Sequence, residues 1–195
     1  MELIKNLKEI SLLKNLFLAI FATIILAISA KVKIPLLWSP IPMTMQTFVV
    51  LSIGVAFGWK LGLFTVALYL VEGIAGLPVF AGTPEKGVGI IYFVGPTMGY
   101  LVGFLLAVFL TGYLKFSDWT KEGKRSFQFV LLNFVKLLLP LSIIYLLGVL
   151  WLSQFIGWEK VVTFGVKPFL LADLFKVGLL SLLMPVVLKF RKLTR

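Results

Sequence analysis

The sequence contains no cysteine and no histidine among its 195 residues. Without cysteine the chain can form no disulfide and offers no thiol nucleophile. Without histidine it lacks the commonest general base and the commonest metal ligand. Charge is also scarce, since only 14% of the residues are Asp, Glu, Lys or Arg. These absences argue against enzymes of the thiol, histidine-base and histidine–metal classes, and against a soluble domain of ordinary composition.

The sequence is rich in apolar residues, with 60% of positions hydrophobic and a mean hydropathy of +1.06. Lipid offers no hydrogen bonds to backbone groups, so only helices or closed barrels span a membrane. The apolar runs here are continuous and do not alternate with polar residues, which favours helices. We therefore predict an all-α, polytopic membrane protein. The net charge of +11 does not indicate a nucleic-acid partner, because the basic residues fall in short loops and tails, as topology signals do.

Six apolar segments are separated by loops that contain proline, glycine and charge. We predict a single domain over residues 1–195, built from a bundle of six transmembrane helices. Twelve of the 19 Lys and Arg residues fall on one side of this bundle and five on the other, so both termini are expected in the cytoplasm. The amphipathic stretch Met1–Lys14 is expected to form a separate short helix in the interface. The predicted spans cover about residues 16–30, 45–57, 61–76, 95–113, 127–151 and 168–188.

The last apolar segment carries a carboxylate and an ammonium group, Asp173 and Lys176. Three residues apart on a helix, they share one face and lie within contact distance. Charge at membrane depth is costly and usually marks a functional site. The alternative is an ion pair that only neutralises itself, and the residue pattern leaves both interpretations open.

Three predicted helices begin at the outer end of the bundle, near Thr44, Gly95 and Pro168. Helix starts present unpaired N–H groups and a positive dipole end, which favours an anion. Asp173 lies about 8 Å along the axis from Pro168, so the charged pair is expected on the floor of an outward-facing pocket. Thr44 is expected to cap its helix. Neutral polar groups and aromatic walls would complete a pocket for a small, largely apolar carboxylate solute: Gln46, Thr97, Tyr100, Phe80, Tyr92, Phe93 and Phe169.

The first predicted span carries a stripe of small residues, Ala19, Thr23 and Ala27, at spacings of four. Such a stripe lets another helix approach closely. That helix could belong to the same bundle or to a partner protein, and the spacing does not decide between them.

Four ordered motifs extend over most of the chain. They are Ser-Pro-Ile-Pro-Met-Thr-Met-Gln-Thr at 39–47, Gly-Leu-Pro-Val-Phe-Ala-Gly at 76–82, Gly-Pro-Thr-Met-Gly-Tyr at 95–100, and Pro168-Phe169 followed by Asp173 and Lys176. Together they resemble the BioY family, the biotin-specific substrate-binding subunits of energy-coupling-factor transporters.

This resemblance implies capture of biotin from outside by a subunit in the plasma membrane of a prokaryote. It also implies a membrane coupling subunit and two cytoplasmic ATPases as partners, with no catalytic residue, metal or cofactor in this chain. The stripe Ala19, Thr23 and Ala27 becomes the expected surface for the coupling subunit. The candidate biotin contacts are Thr44, Gln46, Phe80, Thr97, Tyr100, Asp173 and Lys176.

Other function classes remain open at this stage. A subunit for a different vitamin or small carboxylate solute would use the same pocket chemistry. A membrane scaffold subunit would need only helix seams and an inert ion pair. An enzyme is disfavoured, because the residues at membrane depth offer no nucleophile–base pair. The chain also lacks the Gly-x-x-x-x-Gly-Lys-[Ser/Thr] motif, so ATP hydrolysis would fall to partners.

Overall fold

The computed structural model describes residues 2–34, 41–85, 87–121 and 126–193, so Ser39 and Pro40 of the first motif lie outside the described residues. It describes no side chain for residues 2–11, 34, 192 and 193. Within these ranges the chain forms seven α-helices, one two-residue antiparallel strand pair and a 3₁₀ turn at Trp119–Lys121. The elements are α1 Glu2–Lys31, β1 Lys33–Ile34, β2 Met43–Thr44, α2 Gln46–Ile74, α3 Ile90–Phe93, α4 Met98–Tyr113, α5 Ser126–Ile156, α6 Trp158–Gly165 and α7 Lys167–Leu193.

Among the described residues, four stretches are helical, long and apolar enough to cross a membrane: Leu12–Lys31, Gln46–Ile74, Ser126–Ile156 and Trp158–Arg191. The 16-residue helix α4 is apolar but shorter. Large apolar side chains are exposed on the outer surface, with Phe17 at 76%, Phe175 at 72% and Leu171 at 82%. Apolar residues therefore face outward as they do toward lipid. The protein is a helical multi-pass membrane protein, as the sequence predicts.

Helix α2 reverses direction at Gly58. This residue has φ 74° and ψ 177°, a conformation that glycine adopts without a side-chain clash. A Cβ built on Gly62 would lie 3.6 Å from the Cα of Gly54, whereas eight residues of straight helix span about 12 Å. Residues 46–57 and 59–74 are therefore two antiparallel arms. They correspond to the predicted helices at about 45–57 and 61–76.

Glycine faces allow α4 to pack closely on both of its neighbours. A Cβ on Gly112 would lie 2.3 Å from the backbone nitrogen of Trp59, at the α2 turn. On the opposite side, a Cβ on Gly103 would lie 2.9 Å from the Cα of Ile144 in α5. These close contacts bring α2, α4 and α5 together at backbone distance, as small residues do in membrane helix bundles.

Several elements differ from the sequence predictions, and the short helix α3 and the strand pair β1–β2 lie in stretches that we expected to be loops. Helix α1 continues without a break from Glu2 to Lys31, so the predicted boundary at Lys14 is wrong; no glycine or proline interrupts this stretch. The short helix α6 lies in a stretch that we expected to be a loop. Gly157, with φ 77°, ends α5 and allows α6 to restart at a new angle.

Candidate functional site

Three helices begin around one enclosed cavity. α2 starts at Gln46, α4 at Met98 and α7 at Lys167, and residues from the first three turns of each line the cavity. The positive ends of the three helix dipoles make the surroundings of the cavity electropositive. Helix α5 closes one side with Ile144 and Tyr145. The predicted convergence of three helix starts is therefore present. We call this the polar cavity; its polar lining residues are Thr44, Gln46, Thr47, Tyr92, Thr97, Tyr100, Tyr145, Asp173 and Lys176.

Asp173 and Lys176 supply the charged part of the lining. The Lys176 ammonium lies 2.7 Å from Asp173 Oδ1, and each residue is only 6% exposed. Lys176 also donates to the Thr44 carbonyl at 2.6 Å, and the Tyr145 hydroxyl donates to Asp173 Oδ2 at 2.6 Å. Both charges are thus compensated, as buried charges require. An ammonium has three N–H donors, so the two bonds made to described residues leave Lys176 one donor for a ligand.

The Asp173–Lys176 pair carries no net charge, so the chemistry that it offers a ligand is hydrogen bonding. Within residues 2–34, 41–85, 87–121 and 126–193, no three Asp or Glu side chains form a cluster that could hold a metal ion. Asp173 offers acceptor lone pairs and Lys176 offers a donor at the same point. Such a pair suits a ligand group that both donates and accepts.

Gln46 and Thr44 form a fixed polar corner at the start of α2. The Thr44 hydroxyl accepts from the Gln46 amide at 3.3 Å and donates to Gln46 Oε1 at 3.2 Å. The N-cap of α2 is Met45, which makes no side-chain cap bond, so the expectation that Thr44 caps this helix is wrong; Thr44 lies one residue earlier and bonds to the first helical residue. Gln46 Nε2 donates to the Tyr69 hydroxyl at 2.9 Å, which in turn donates to the Val79 carbonyl. These hydrogen bonds hold the side-chain amide of Gln46 in one orientation.

Tyr100 joins the cavity to α6. Its hydroxyl donates to the Gly165 carbonyl at 2.8 Å. Its ring packs on Gly148 of α5, where an added Cβ would lie only 2.3 Å from the ring. The donor of this hydroxyl is used by α6, so toward a ligand in the cavity Tyr100 offers its ring and the acceptor lone pairs of its hydroxyl.

Thr97 and Tyr92 line the cavity from the segment before α4. Burial raises the pKa of the Tyr92 hydroxyl, and a hydrogen bond with Thr97 lowers it in part. Tyr92 therefore stays protonated, and it donates to the Ala81 carbonyl. Thr97 is 9% exposed. The loop between α2 and α3 thus contributes Ala81, and α3 contributes Tyr92.

Phe80 lies behind the cavity wall, and the expectation that it lines the pocket is wrong. Its side chain is fully buried, with its ring stacked on Tyr92 at 5.0 Å and edge-on to Tyr69 at 5.4 Å. Gly73 leaves the space for it, since a Cβ there would lie 2.1 Å from the Phe80 ring. Phe80 supports Tyr92, which is one of the aromatic residues that line the cavity. Of the other rings expected in the wall, Phe169 lines the cavity and Phe93 does not.

Lys31 ties the α2–α3 loop to the end of α1. Its ammonium donates to the Phe80 carbonyl at 3.0 Å, the Thr83 carbonyl at 2.8 Å and the Thr83 hydroxyl at 2.9 Å. Lys33 adds an exposed ion pair to Glu85 at 3.5 Å. Polar contacts from α1 therefore hold the loop that carries Ala81.

The stripe Ala19, Thr23 and Ala27 faces inward. Ala19 is fully buried and Thr23 is 2% exposed, while Ala27 is partly buried. The Thr23 hydroxyl bonds to Glu72 of α2 at 3.0 Å. The small residues admit the second arm of α2, so this stripe is an internal seam. The structure thereby corrects the expectation that these residues present a surface to the coupling subunit.

Tyr145 is the functional candidate that the sequence interpretation missed. Its hydroxyl supplies the second hydrogen bond to the Asp173 carboxylate. The sequence feature that indicates Tyr145 is its position inside the long apolar segment of α5, since a phenol at membrane depth needs a hydrogen-bond partner. Apolar parts of the lining were also missed, since Leu101, Phe104 and Ile144 carry no chemical signal in the sequence.

The polar cavity is small, with a volume of about 70 Å³. Sites for drug-sized ligands usually enclose about 300–1,000 Å³, so such an occupant must displace part of the wall. A larger opening of about 1,070 Å³ lies near the turn of α2. It offers no comparable convergence of polar side chains, so the polar cavity is the candidate site. We call the larger opening the basic groove; it is lined by Leu12, Leu13, Asn15, Leu16, Phe57, Gly58, Trp59, Lys60, Leu61, Phe64, Gly112, Tyr113, Lys115 and Arg191.

Comparison with known proteins identifies relatives over nearly the whole chain. A sequence model of the BioY family matches residues 4–193. The biotin transporter BioY of Thermotoga maritima is 37% identical over 182 residues, which cover 93% of this chain and 98% of that protein. The probable biotin transporter BioY of Pyrococcus horikoshii is 34% identical, over 88% of this chain and 90% of that protein. A crystal structure of the S-component for biotin from an ECF-type ABC transporter superposes with a TM-score of 0.70 at 26% identity, covering 92% of each chain.

Proposed function

The chain belongs to the BioY family, and we propose that it is the biotin-binding subunit of a biotin transporter. It is a transport component and not an enzyme, as its family membership establishes. The observation that carries the proposal is the polar cavity, in which a buried Asp173–Lys176 pair lies among three helix starts. The relatives named as biotin transporters, which are 34% and 37% identical over 88% and 93% of this chain, point to biotin as the ligand.

The ureido ring of biotin matches the charged pair. It has two N–H donors and one carbonyl acceptor, so Asp173 can accept from an N–H while Lys176 donates to the carbonyl. A carboxylate at this point would be attracted by Lys176 and repelled by Asp173, because the two groups lie 2.7 Å apart. We therefore assign the ureido ring to the pair. The biotin carboxylate then points to the starts of α2 and α4, where the positive ends of the helix dipoles favour an anion.

The remaining contacts follow from the lining. Thr44, Gln46 and Thr97 are the neutral polar contacts, and Tyr100 offers its ring to the apolar bicycle. Tyr145 holds the Asp173 carboxylate in position from α5. Since the cavity volume is about 70 Å³, biotin enters as part of the wall moves outward. We propose that the moving part is the α2–α3 loop, which contributes Ala81 to the lining.

We assign the chain six transmembrane helices in a single domain over residues 1–195, counting the two arms of α2 separately. Three cations, Lys60, Lys115 and Arg191, meet at the end of the bundle that carries the α2 turn. The positive-inside rule places this end, with both termini, in the cytoplasm. The polar cavity then opens outward from the plasma membrane of a prokaryote.

A membrane coupling subunit and two cytoplasmic ATPases would complete the transporter, in line with the structural relative described as the S-component of an ECF-type ABC transporter. ATP hydrolysis by these partners would drive release of biotin inward. We expect uptake of labelled biotin by cells to require coexpression of the partners. Equal uptake with and without them would contradict the coupled form of the proposal.

Titration of the purified protein with biotin tests the central claim. We expect one-to-one binding, and at least tenfold weaker binding (about 1.4 kcal/mol) in Asp173→Asn and in Lys176→Ala. The chain offers a matched control in its exposed Asp118–Lys121 pair, which has the same spacing at 3.6 Å. Asp118→Asn and Lys121→Ala should bind biotin like the wild type. Biotinamide keeps the ureido ring and lacks the carboxylate charge. It should therefore still bind more weakly to Asp173→Asn and Lys176→Ala than to the wild type.

Two outcomes would favour the other candidate functions. Stronger binding of another vitamin in competition with labelled biotin would assign the site to that vitamin. No binding of biotin or of other vitamins at micromolar concentration would favour a scaffold subunit.

A further inference from the structure

The basic groove lies at the end of the bundle away from the polar cavity. Along α7, Asp173 and Arg191 are separated by 18 residues, or about 27 Å. Along α4, Tyr100 and Gly112 are separated by 12 residues, or about 18 Å. The groove is therefore a second site on the molecule, one that the binding of a solute in the polar cavity does not use.

Apolar side chains form the walls of the groove. Leu12 is 66% exposed, Leu16 43%, Phe64 48% and Tyr113 67%. They come from α1, the second arm of α2 and the end of α4, and enclose a volume of about 1,070 Å³. An open apolar groove between helices that cross a membrane is suited to an aliphatic chain, which fills it without loss of hydrogen bonds.

The described lining of the groove carries cations, namely Lys60, Lys115 and Arg191. Among the residues whose side chains the structure describes, which exclude residues 2–11 of α1, the lining contains no Asp or Glu. In the part of the chain that the structure describes, no carboxylate lies within 4 Å of the Lys60 or Lys115 ammonium. Trp59 lies beside them, with the Lys60 ammonium 5.3 Å from its ring centre. Tryptophan and lysine together are typical of the level of lipid headgroups.

We propose that the basic groove binds one anionic phospholipid. Its phosphate lies between Lys60 and Lys115, and an acyl chain lies along Leu12, Leu16 and Phe64. The phosphate matches the cationic rim of the groove and the acyl chain matches its aliphatic wall, and this rim and wall adjoin at a helix end. With the α2 turn on the cytoplasmic side, this lipid belongs to the inner leaflet, whose surface is anionic.

The test uses the full chain purified from membranes that contain equal amounts of phosphatidylglycerol and phosphatidylcholine. Mass spectrometry then measures the lipid that the protein retains. We expect the wild type to retain phosphatidylglycerol in preference, and Lys60→Gln/Lys115→Gln to lower that preference by about tenfold. Lys60→Arg/Lys115→Arg should keep it. The matched control is Lys160→Gln/Lys167→Gln, which removes two exposed lysines outside the groove and should behave like the wild type.

Further arms separate the lipid from other occupants. Excess inorganic phosphate should not displace phosphatidylglycerol, because the acyl chain supplies much of the binding; displacement by phosphate alone would reduce the groove to a simple anion site. Equal retention of the two lipids by the wild type would overturn the proposal and assign the cations to a protein partner. Equal losses in Lys60→Gln/Lys115→Gln and in the control would also overturn it.

Discussion

The polar cavity and the basic groove of this helix bundle differ in volume and in polarity. The cavity is small and enclosed, and no buried polar side-chain atom among the described residues lacks a hydrogen-bond partner. The groove is about fifteen times larger in volume, open and largely apolar. Volume alone would assign function to the groove. Convergence of buried polar groups favours the cavity as the candidate site, because burying a polar group at membrane depth is costly and usually marks a function.

This difference predicts that charge removal is severe in the cavity and mild elsewhere. Lys176→Met leaves the Asp173 carboxylate buried without its cation, a change that costs about 3–5 kcal/mol. We expect a clear fall in the thermal midpoint in detergent and loss of measurable biotin binding. Lys121→Met, at the exposed pair, should leave both unchanged. A double variant, Asp173→Asn/Lys176→Met, should regain stability but not binding; if it bound biotin normally, the pair would be structural.

The second prediction concerns Tyr145, which holds the carboxylate from the side opposite Lys176. Tyr145→Phe removes one hydrogen bond to a charged group, an interaction of about 1.5–3 kcal/mol. Biotin affinity should fall about tenfold in a calorimetric titration. Ser142→Ala, which removes an exposed hydroxyl bonded to the Leu138 carbonyl on the same helix, is the control. Equal affinities in the two variants would mean that Asp173 is positioned without Tyr145.

The third prediction concerns the fit of Tyr100 against α5. In Gly148→Ala the new methyl group would lie 2.3–2.4 Å from the Tyr100 ring, so the ring must move and the packing cost is about 1–3 kcal/mol. We expect weaker biotin binding and a lower thermal midpoint. Gly178→Ala adds the same methyl group 3.9 Å from the nearest atom, in Phe134, and should be silent. Wild-type binding by Gly148→Ala would show that the cavity wall adapts to the added methyl group.

The smallest effect is expected at the α2–α3 loop. Lys31→Met removes three hydrogen bonds from the loop and leaves the cavity lining itself intact. The loop should open more often, so biotin should dissociate about threefold to tenfold faster. Lys14→Met, on the exposed surface of the same helix, is the control in a rapid-dilution measurement with labelled biotin. Unchanged dissociation would place the moving part of the wall elsewhere.

The sequence predicted what periodicity and charge can encode. Continuous apolar runs gave the helices, and the i, i+3 spacing placed Asp173 and Lys176 in contact. Three helix starts with proline and glycine nearby indicated the end at which the cavity lies. These features are local, so a single chain segment carries the whole signal.

The missed features depend on which segments meet in space. Phe80 and Tyr92 are both aromatic residues near the pocket, and only packing against Gly73 decides which of them faces it. The stripe at Ala19 and Thr23 could serve an internal or an external helix, and the second arm of α2 occupies it. Tyr145 became significant only when α5 was placed beside α7.

The reversal at Gly58 also shapes the surrounding bilayer. The two arms of α2 have 12 and 16 residues, or about 18 and 24 Å of helix, and α4 also has 16 residues. The hydrocarbon core of a bilayer is about 30 Å thick. The 30-residue helix α1 and the 31-residue helix α5 exceed that thickness. One flank of the protein is therefore too short for the membrane and another is too long. The bilayer must thin beside the α2 turn or the bundle must tilt. We therefore expect the orientation of the polar cavity to depend on the thickness of the bilayer.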